Sequence, residues 1–172
     1  MTATTRSGET NSRPLIAAGT LLGIGMGGFV DGILFHQILQ LHSMLSAKLP
    51  KTSIVNVEVN MFWDGLFHAF TWVMTALGLA MLWRAGQKPE VPWSSRTFAG
   101  SLLLGWGIFN LVEGIIDHHI LGIHHVVEKL GLSIYDYLFL LVGAVFAFAG
   151  TLLVRQGRQD SAASPAAMGR VR

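Results

Sequence analysis

Cysteine is absent from this 172-residue chain. Disulfides, thiolate metal sites, iron–sulfur clusters and cysteine nucleophiles are therefore excluded. Charge is scarce as well. Asp, Glu, Lys and Arg make up 13% of the residues, about half the roughly 25% of an ordinary soluble domain. Twelve basic residues and a net charge of +2 are too few for a surface that reads nucleic-acid phosphates. The sequence has no internal repeat of about 20–50 residues and no separate soluble domain. A shortage of charge beside a hydrophobic share of 51% points to the membrane.

Long apolar runs are what the chain does have. A spanning helix needs about 20 mostly apolar residues. Four runs meet that length, at 15–41, 61–83, 98–121 and 134–154. The expected fold is an all-α integral membrane protein, a four-transmembrane-helix bundle occupying residues 14–155. Its connections at 42–60, 84–92 and 122–133 are polar or contain proline. The tails 1–13 and 156–172 are rich in Ser, Ala, Gly and Arg and are expected to be mobile. Arg6 and Arg13 before the first run resemble the start of a signal peptide. The run is longer than a signal's apolar region of about 7–15 residues and lacks a small-x-small cleavage site, so it is read as a span.

Lys and Arg in the short flanks set the expected orientation. One side carries nine of them (Arg6, Arg13, Arg84, Lys88, Arg96, Arg155, Arg158, Arg170 and Arg172) and the other only Lys48, Lys51 and Lys129. Both termini are therefore expected in the cytoplasm of a bacterial inner membrane, with loops 42–60 and 122–133 outside and Trp83 and Trp93 at the inner interface.

This topology sorts the ionisable residues. All seven histidines and seven of the ten carboxylates fall in the outer half. An Asp at a helix centre costs about 2.5–3.5 kcal/mol to insert, so such residues pair, face the interior or hold something. Asp136, His42 and His119 are read as polar residues near helix ends. Asp31, His36, Asp64, His68, Glu113, Asp117 and His118 are read as a functional set.

Spacing sharpens that set. Asp64 and His68 are four apart on the second helix, and Glu113 and Asp117 four apart on the third, so each pair shares a face. Asp31 and His36 are five apart, about 140° around an α-helix. They meet only if the helix distorts, which Gly28 and Gly32 permit. Asp117 with His124, and His118 with His125, align only if the third helix continues past Gly122. Carboxylates and imidazoles from several helices at one depth are metal-ligand chemistry. The predicted metal residues are His36, Asp64, His68, Glu113, Asp117 and His118, with Asp31, His119, His124 and His125 as supporting or access residues. A mixed oxygen and nitrogen set without cysteine suits a transition metal such as Zn, Fe, Mn or Cu(II). Met44 and Met61 beside the outer loop keep Cu(I) open.

Gly23-x-Gly25-x-x-Gly28 matches a dinucleotide fingerprint in letters only, because it lies inside a spanning helix with no strand before it. Glycines 19, 23 and 27 instead repeat every four residues, the pattern of close helix packing in membranes, and Gly100 and Gly143 are expected to serve similarly.

Three stretches carry a family resemblance: Gly-Phe-Val-Asp-Gly-Ile-Leu-Phe-His-Gln-Ile-Leu-Gln (28–40), Trp-Asp-Gly-Leu-Phe-His-Ala (63–69) and Gly-Trp-Gly-Ile-Phe-Asn-Leu-Val-Glu-Gly-Ile-Ile-Asp-His-His-Ile-Leu-Gly-Ile-His-His-Val (105–126). Over about residues 14–155 the chain resembles a family of predicted bacterial membrane proteins catalogued as a domain of unknown function. That resemblance implies a link, by association only, to copper and to respiratory oxidase assembly proteins as partners. The Asp-x-x-x-His of the second helix is also similar to a copper site in membrane methane and ammonia monooxygenases, though too short to show kinship.

The functions open at this point are metal (copper) delivery or oxidase assembly, and a membrane metalloenzyme of hydrolytic or oxidative type with Glu113 as general base. A proton- or ion-coupled transporter, haem binding by His36 with His68 or His118, and a structural role complete the set. The metal-binding reading leads. Residues alone do not decide whether the protein is an enzyme, what its oligomeric state is or what its substrate is. A lipid-accessible cleft at the site would favour the enzyme.

Overall fold

Pro14 lies in the first turn of the first helix, where a missing N–H costs no internal hydrogen bond. The structure, a computed structural model, describes residues 10–163, and every regular element among them is helical. Helix α1 is Arg13–Phe29, α2 Ile54–Gly86, α3 Ser95–Glu113 and α4 Ile134–Ala163. Ser53 caps α2 by accepting the Asn56 N–H, and Ser94 caps α3 by accepting the Thr97 N–H; each thereby satisfies a backbone donor at the helix start. Four helical stretches are long and apolar enough to cross a membrane: Arg13–Ile38, Ile54–Gly86, Ser95–Ile120 and Ile134–Ser161.

The fourth helix is longer than the 134–154 span read from the sequence. Hydropathy marks where a helix is apolar, whereas Arg155 to Asp160 continue it with polar residues. Positions 1–9 and 164–172 of the expected mobile tails lie outside the described residues.

Close packing runs in the order α2–α1–α3–α4. Half of the α1 span and 44% of the α3 span are buried, against 17% for α2 and for α4. The central pair thus forms the interior, and the flanking pair presents apolar side chains such as Trp72 and Phe148 outward, as lipid requires. Glycine sets the spacing. A side chain on Gly23 would overlap the Leu102 carbonyl, and one on Gly105 would overlap the Thr20 carbonyl. The α1 and α3 backbones therefore touch, as small residues allow in membranes. Gly25 and Gly28, the remaining letters of the apparent fingerprint, lie against Thr75 and Thr71 of α2.

At the end away from the described termini, both central helices widen. α1 continues as a π-helix over Val30–Ile38, and α3 as another over Gly114–Ile120. The Leu39 N–H donates to the Leu34 carbonyl and the Leu121 N–H to that of Ile116, each at 2.8 Å. These five-residue steps are the mark of π geometry, which recurs at functional sites. Gly122, at φ +52°, ends the second of them. The two loops at this end are tied together: Ala47 N–H donates to Ile123, Glu128 N–H to Leu41, and the Ser46 hydroxyl to the Glu128 carboxylate. Asn60 fastens the first loop to α2 by accepting from Leu45 N–H and donating to the Leu49 carbonyl.

Candidate metal centre

The wider turn of the first π-helix solves the spacing of Asp31 and His36. Residues five apart fall on nearly one face, and His36 Nε2 lies 2.9 Å from Asp31 Oδ2. The tied loops bring two further rings down onto the same point. His42 follows the first π-helix and His124 follows Gly122. From α3 come Glu113 at its last residue and His118 in the second π-helix.

These six side chains form three overlapping triads, His36–His42–His124, Glu113–His118–His124 and Asp31–His36–Glu113. Within each triad the ligand atoms lie no more than 4.8 Å apart. All six residues are between 0 and 5% exposed. The rings are in contact, with His42 stacked on His124 at 4.7 Å between centroids, and His36 and His118 edge-on at 4.4 Å from His42 and 4.9 Å from His124 respectively.

Three of the four rings are held by a hydrogen bond at Nδ1. His36 Nδ1 bonds Asp64 Oδ1 at 2.9 Å, His42 Nδ1 bonds the Val126 carbonyl at 3.1 Å and His124 Nδ1 bonds the Met44 carbonyl at 3.1 Å. His118 Nδ1 sits 3.2 Å from Asp136 Oδ1 without the alignment of a hydrogen bond. A carbonyl oxygen only accepts, so Nδ1 of His42 and of His124 carries the proton and the Nε2 lone pair is left free. Carboxylate or carbonyl support of this kind is what orients metal-binding histidines. Burial, with the His42 and His118 rings beside it, holds the His124 imidazole well below the ordinary histidine range. It is therefore neutral, as a ligand must be.

The inward-facing atoms have no protein partner. Nε2 of His36, His42, His118 and His124, Oδ2 of Asp31 and both oxygens of Glu113 are buried without a hydrogen bond among the described residues. The 2.9 Å approach of His36 to Asp31 is not aligned as a hydrogen bond. An unsatisfied buried polar group costs about 1–3 kcal/mol. Together these atoms would consume the roughly 5–15 kcal/mol that stabilises a whole domain.

The structure brings some of the residues singled out in the sequence together and sets others apart. His36, Glu113 and His118 are in the triads. Asp64 instead supports His36 and also accepts the Met44 N–H at 2.7 Å. His68 turns its Nδ1 to the Asp64 carbonyl at 2.7 Å, and its ring lies against Gly32, outside the triads. Asp117 faces an apolar groove rather than the triads. Asp31 and His124, expected to support, supply triad atoms, and so does His42, which by sequence is a polar residue near a helix end. Asp136 reaches past His118 to His125 Nδ1 at 3.5 Å, and His119 bonds the Gly114 carbonyl at 2.7 Å. The signal for His42 was its place just past a span whose spacing already demanded distortion.

No curated protein and no solved structure matches the chain. Residues 18–157 match a family model described as "Predicted membrane protein (DUF2243)", so the chain belongs to that family.

Proposed function

We propose that the protein holds a first-row transition metal at the outer end of its helices, bound by the Nε2 atoms of His36, His42, His118 and His124 with oxygens of Asp31 and Glu113. The observation that carries this reading is the orientation of four buried rings: Nδ1 of His36, His42 and His124 is bonded to a carboxylate or carbonyl, Nδ1 of His118 lies beside the Asp136 carboxylate, and no Nε2 of the four has a hydrogen-bond partner among the described residues. Four imidazoles with carboxylates and no sulfur suit Zn, Fe, Mn or Cu(II). They disfavour Cu(I), because the Met44 side chain lines the groove and Met61 is exposed. Full burial favours a resident cofactor, as in a membrane metalloenzyme, over a metal in transit. The nine-to-three split of basic residues supports a bacterial inner-membrane location with cytoplasmic termini and the centre on the outer side.

Delivery of copper to a respiratory oxidase is the second reading. What favours it is His125, 14% exposed at its side chain and 3.5 Å from the Asp136 that also touches His118. That is a step from the loop surface to the centre.

Elemental analysis of protein purified in detergent from native membranes tests the metal. Stoichiometric metal is expected; zinc, iron or manganese would strike the copper-delivery reading, whereas copper fits either. Protein that retains none, and takes none up on titration with Zn, Fe, Mn or Cu, overturns both; water would then satisfy the inward atoms.

A further inference from the structure

A groove of about 430 Å³ runs beside the metal centre, between α2 and α3 and floored by α1. It exists because α2 packs on α1 and not closely on α3. Phe67 and Phe109 form its buried inner wall, while Trp63, Leu66, Phe70 and Val112 are 43–51% exposed at its mouth. These mouth residues lie within spanning helices, so the groove opens to lipid. Its size falls in the range of about 300–1,000 Å³ typical of ligand sites.

Two polar side chains interrupt this apolar lining, Glu113 and Asp117, one turn apart on α3 and its π-helical continuation. Glu113 is 95% buried by its 5% exposure, and neither of its oxygens has a hydrogen-bond partner among the described residues. The same carboxylate belongs to two of the metal triads, with Oε1 3.6 Å from His124 Nε2. Glu113 is thus the common wall of groove and metal centre. Among the described residues no cation lines the groove, so an anionic head would meet two carboxyls with nothing to offset it. A hydroxyl head can donate to those oxygens, and aromatic and aliphatic walls suit a hydrocarbon body.

We infer that the groove is a lateral port through which a neutral, hydroxyl-bearing amphiphile enters from the lipid phase and brings its head group to Glu113 beside the metal. This rests on the metal reading for the role of the head group, and on the groove alone for the binding. It assigns the metal centre a substrate class drawn from the bilayer rather than from water.

The experiment has two separate readouts on the full chain in detergent. A long-chain alcohol carrying a diazirine in its tail is photolysed with metal-free protein, and labelled peptides are mapped. Labelling is expected at Trp63, Leu66, Phe70, Ile108 and Val112, lost on adding dodecanol, retained on adding dodecane, and lost in Ile108→Trp or Leu66→Trp, which fill the groove from its lipid side. Labelling spread equally over the outward residues of α4, such as Leu141 and Phe148, or competed equally by dodecane, overturns the port. Cobalt(II)-loaded protein supplies the second readout. Dodecanol is expected to shift its visible bands in the parent chain and not in the groove-filling variants. Cobalt that binds with bands unmoved by dodecanol overturns the contact between head group and centre. Failure to bind cobalt strikes the metal reading instead, and the photolabelling still decides the port.

Discussion

His36 and Asp31 are five residues apart, yet His36 Nε2 lies 2.9 Å from Asp31 Oδ2 because the helix between them is wound as a π-helix. The opposite nitrogen of the same ring is bonded to Asp64 of α2 at 2.9 Å. One imidazole therefore joins two helices and turns inward, beside Asp31, an Nε2 that makes no aligned hydrogen bond. The second π-helix does the matching work for His118, whose Nδ1 is 3.2 Å from Asp136 of α4. Two locally widened helices thus connect the central pair to both flanking helices at one depth.

The ligand assignment separates residues that a helical-wheel reading treats alike. His42→Ala and His124→Ala are expected to abolish stoichiometric metal, because each removes a triad nitrogen. His68→Ala and Asp117→Ala are expected to leave metal content unchanged, since His68 bonds a backbone carbonyl and Asp117 faces the groove. Elemental analysis of the four purified variants checks this. Metal lost from His68→Ala and kept by His42→Ala would invert the assignment.

Supporting carboxylates should behave differently from ligands. Asp64→Asn keeps the shape that receives the His36 Nδ1 proton and the Met44 N–H but removes the charge. Loss of such outer support typically weakens metal binding about 10–100-fold. Titration with a chelator of known affinity should therefore show weakened binding at unchanged stoichiometry. Equal loss of stoichiometry in Asp64→Asn and His36→Ala would make Asp64 a ligand.

The difference between those two classes explains how much the sequence disclosed. Four spans and the gathering of histidines at one end follow from hydropathy and from counting along the chain, since both are properties of local sequence. That His36, Glu113 and His118 lie together is legible in the sequence because they sit on helices at a common depth. That His42 and His124 join them is not, because loops position them through bonds such as His42 to Val126, 84 residues away, and Ala47 to Ile123. Loop docking leaves no periodic trace. Asp117 and His68, expected from the sequence as metal residues, lie outside the triads. Asp117 shares the groove with Glu113, as their spacing implies, but past the π-helix that begins at Gly114 it is not among the triads.

Packing of the central pair predicts a sharp contrast between glycines. Gly23→Leu forces a side chain into the Leu102 carbonyl of α3, which is backbone and cannot rotate aside. Overpacking of this kind costs about 1–3 kcal/mol or more. The variant is expected to unfold at lower temperature in detergent and to lose metal, because α1 and α3 carry four of the six proposed ligands on themselves and their π-helical extensions. Gly65→Ala is the control. Nothing lies within 4 Å of its added carbon, and alanine favours a helix by about 1 kcal/mol over glycine. Equal melting of Gly23→Leu and the parent chain would show that α1 and α3 are not in contact as described.

Orientation is open to a direct test because the chain contains no cysteine. Single substitutions then report one site each, with no background to remove. Lys51→Cys lies in the loop between the first two spans, and Gln87→Cys just after the second. Both positions are exposed, so reactivity reads sidedness rather than burial. With cytoplasmic termini, a membrane-impermeant maleimide added to intact spheroplasts is expected to label Lys51→Cys and not Gln87→Cys, and both after lysis. The reverse pattern would put the metal centre on the cytoplasmic side. A metal held there would load from the cytoplasmic pool, and the copper-delivery reading, which needs loading from outside, would fall with it.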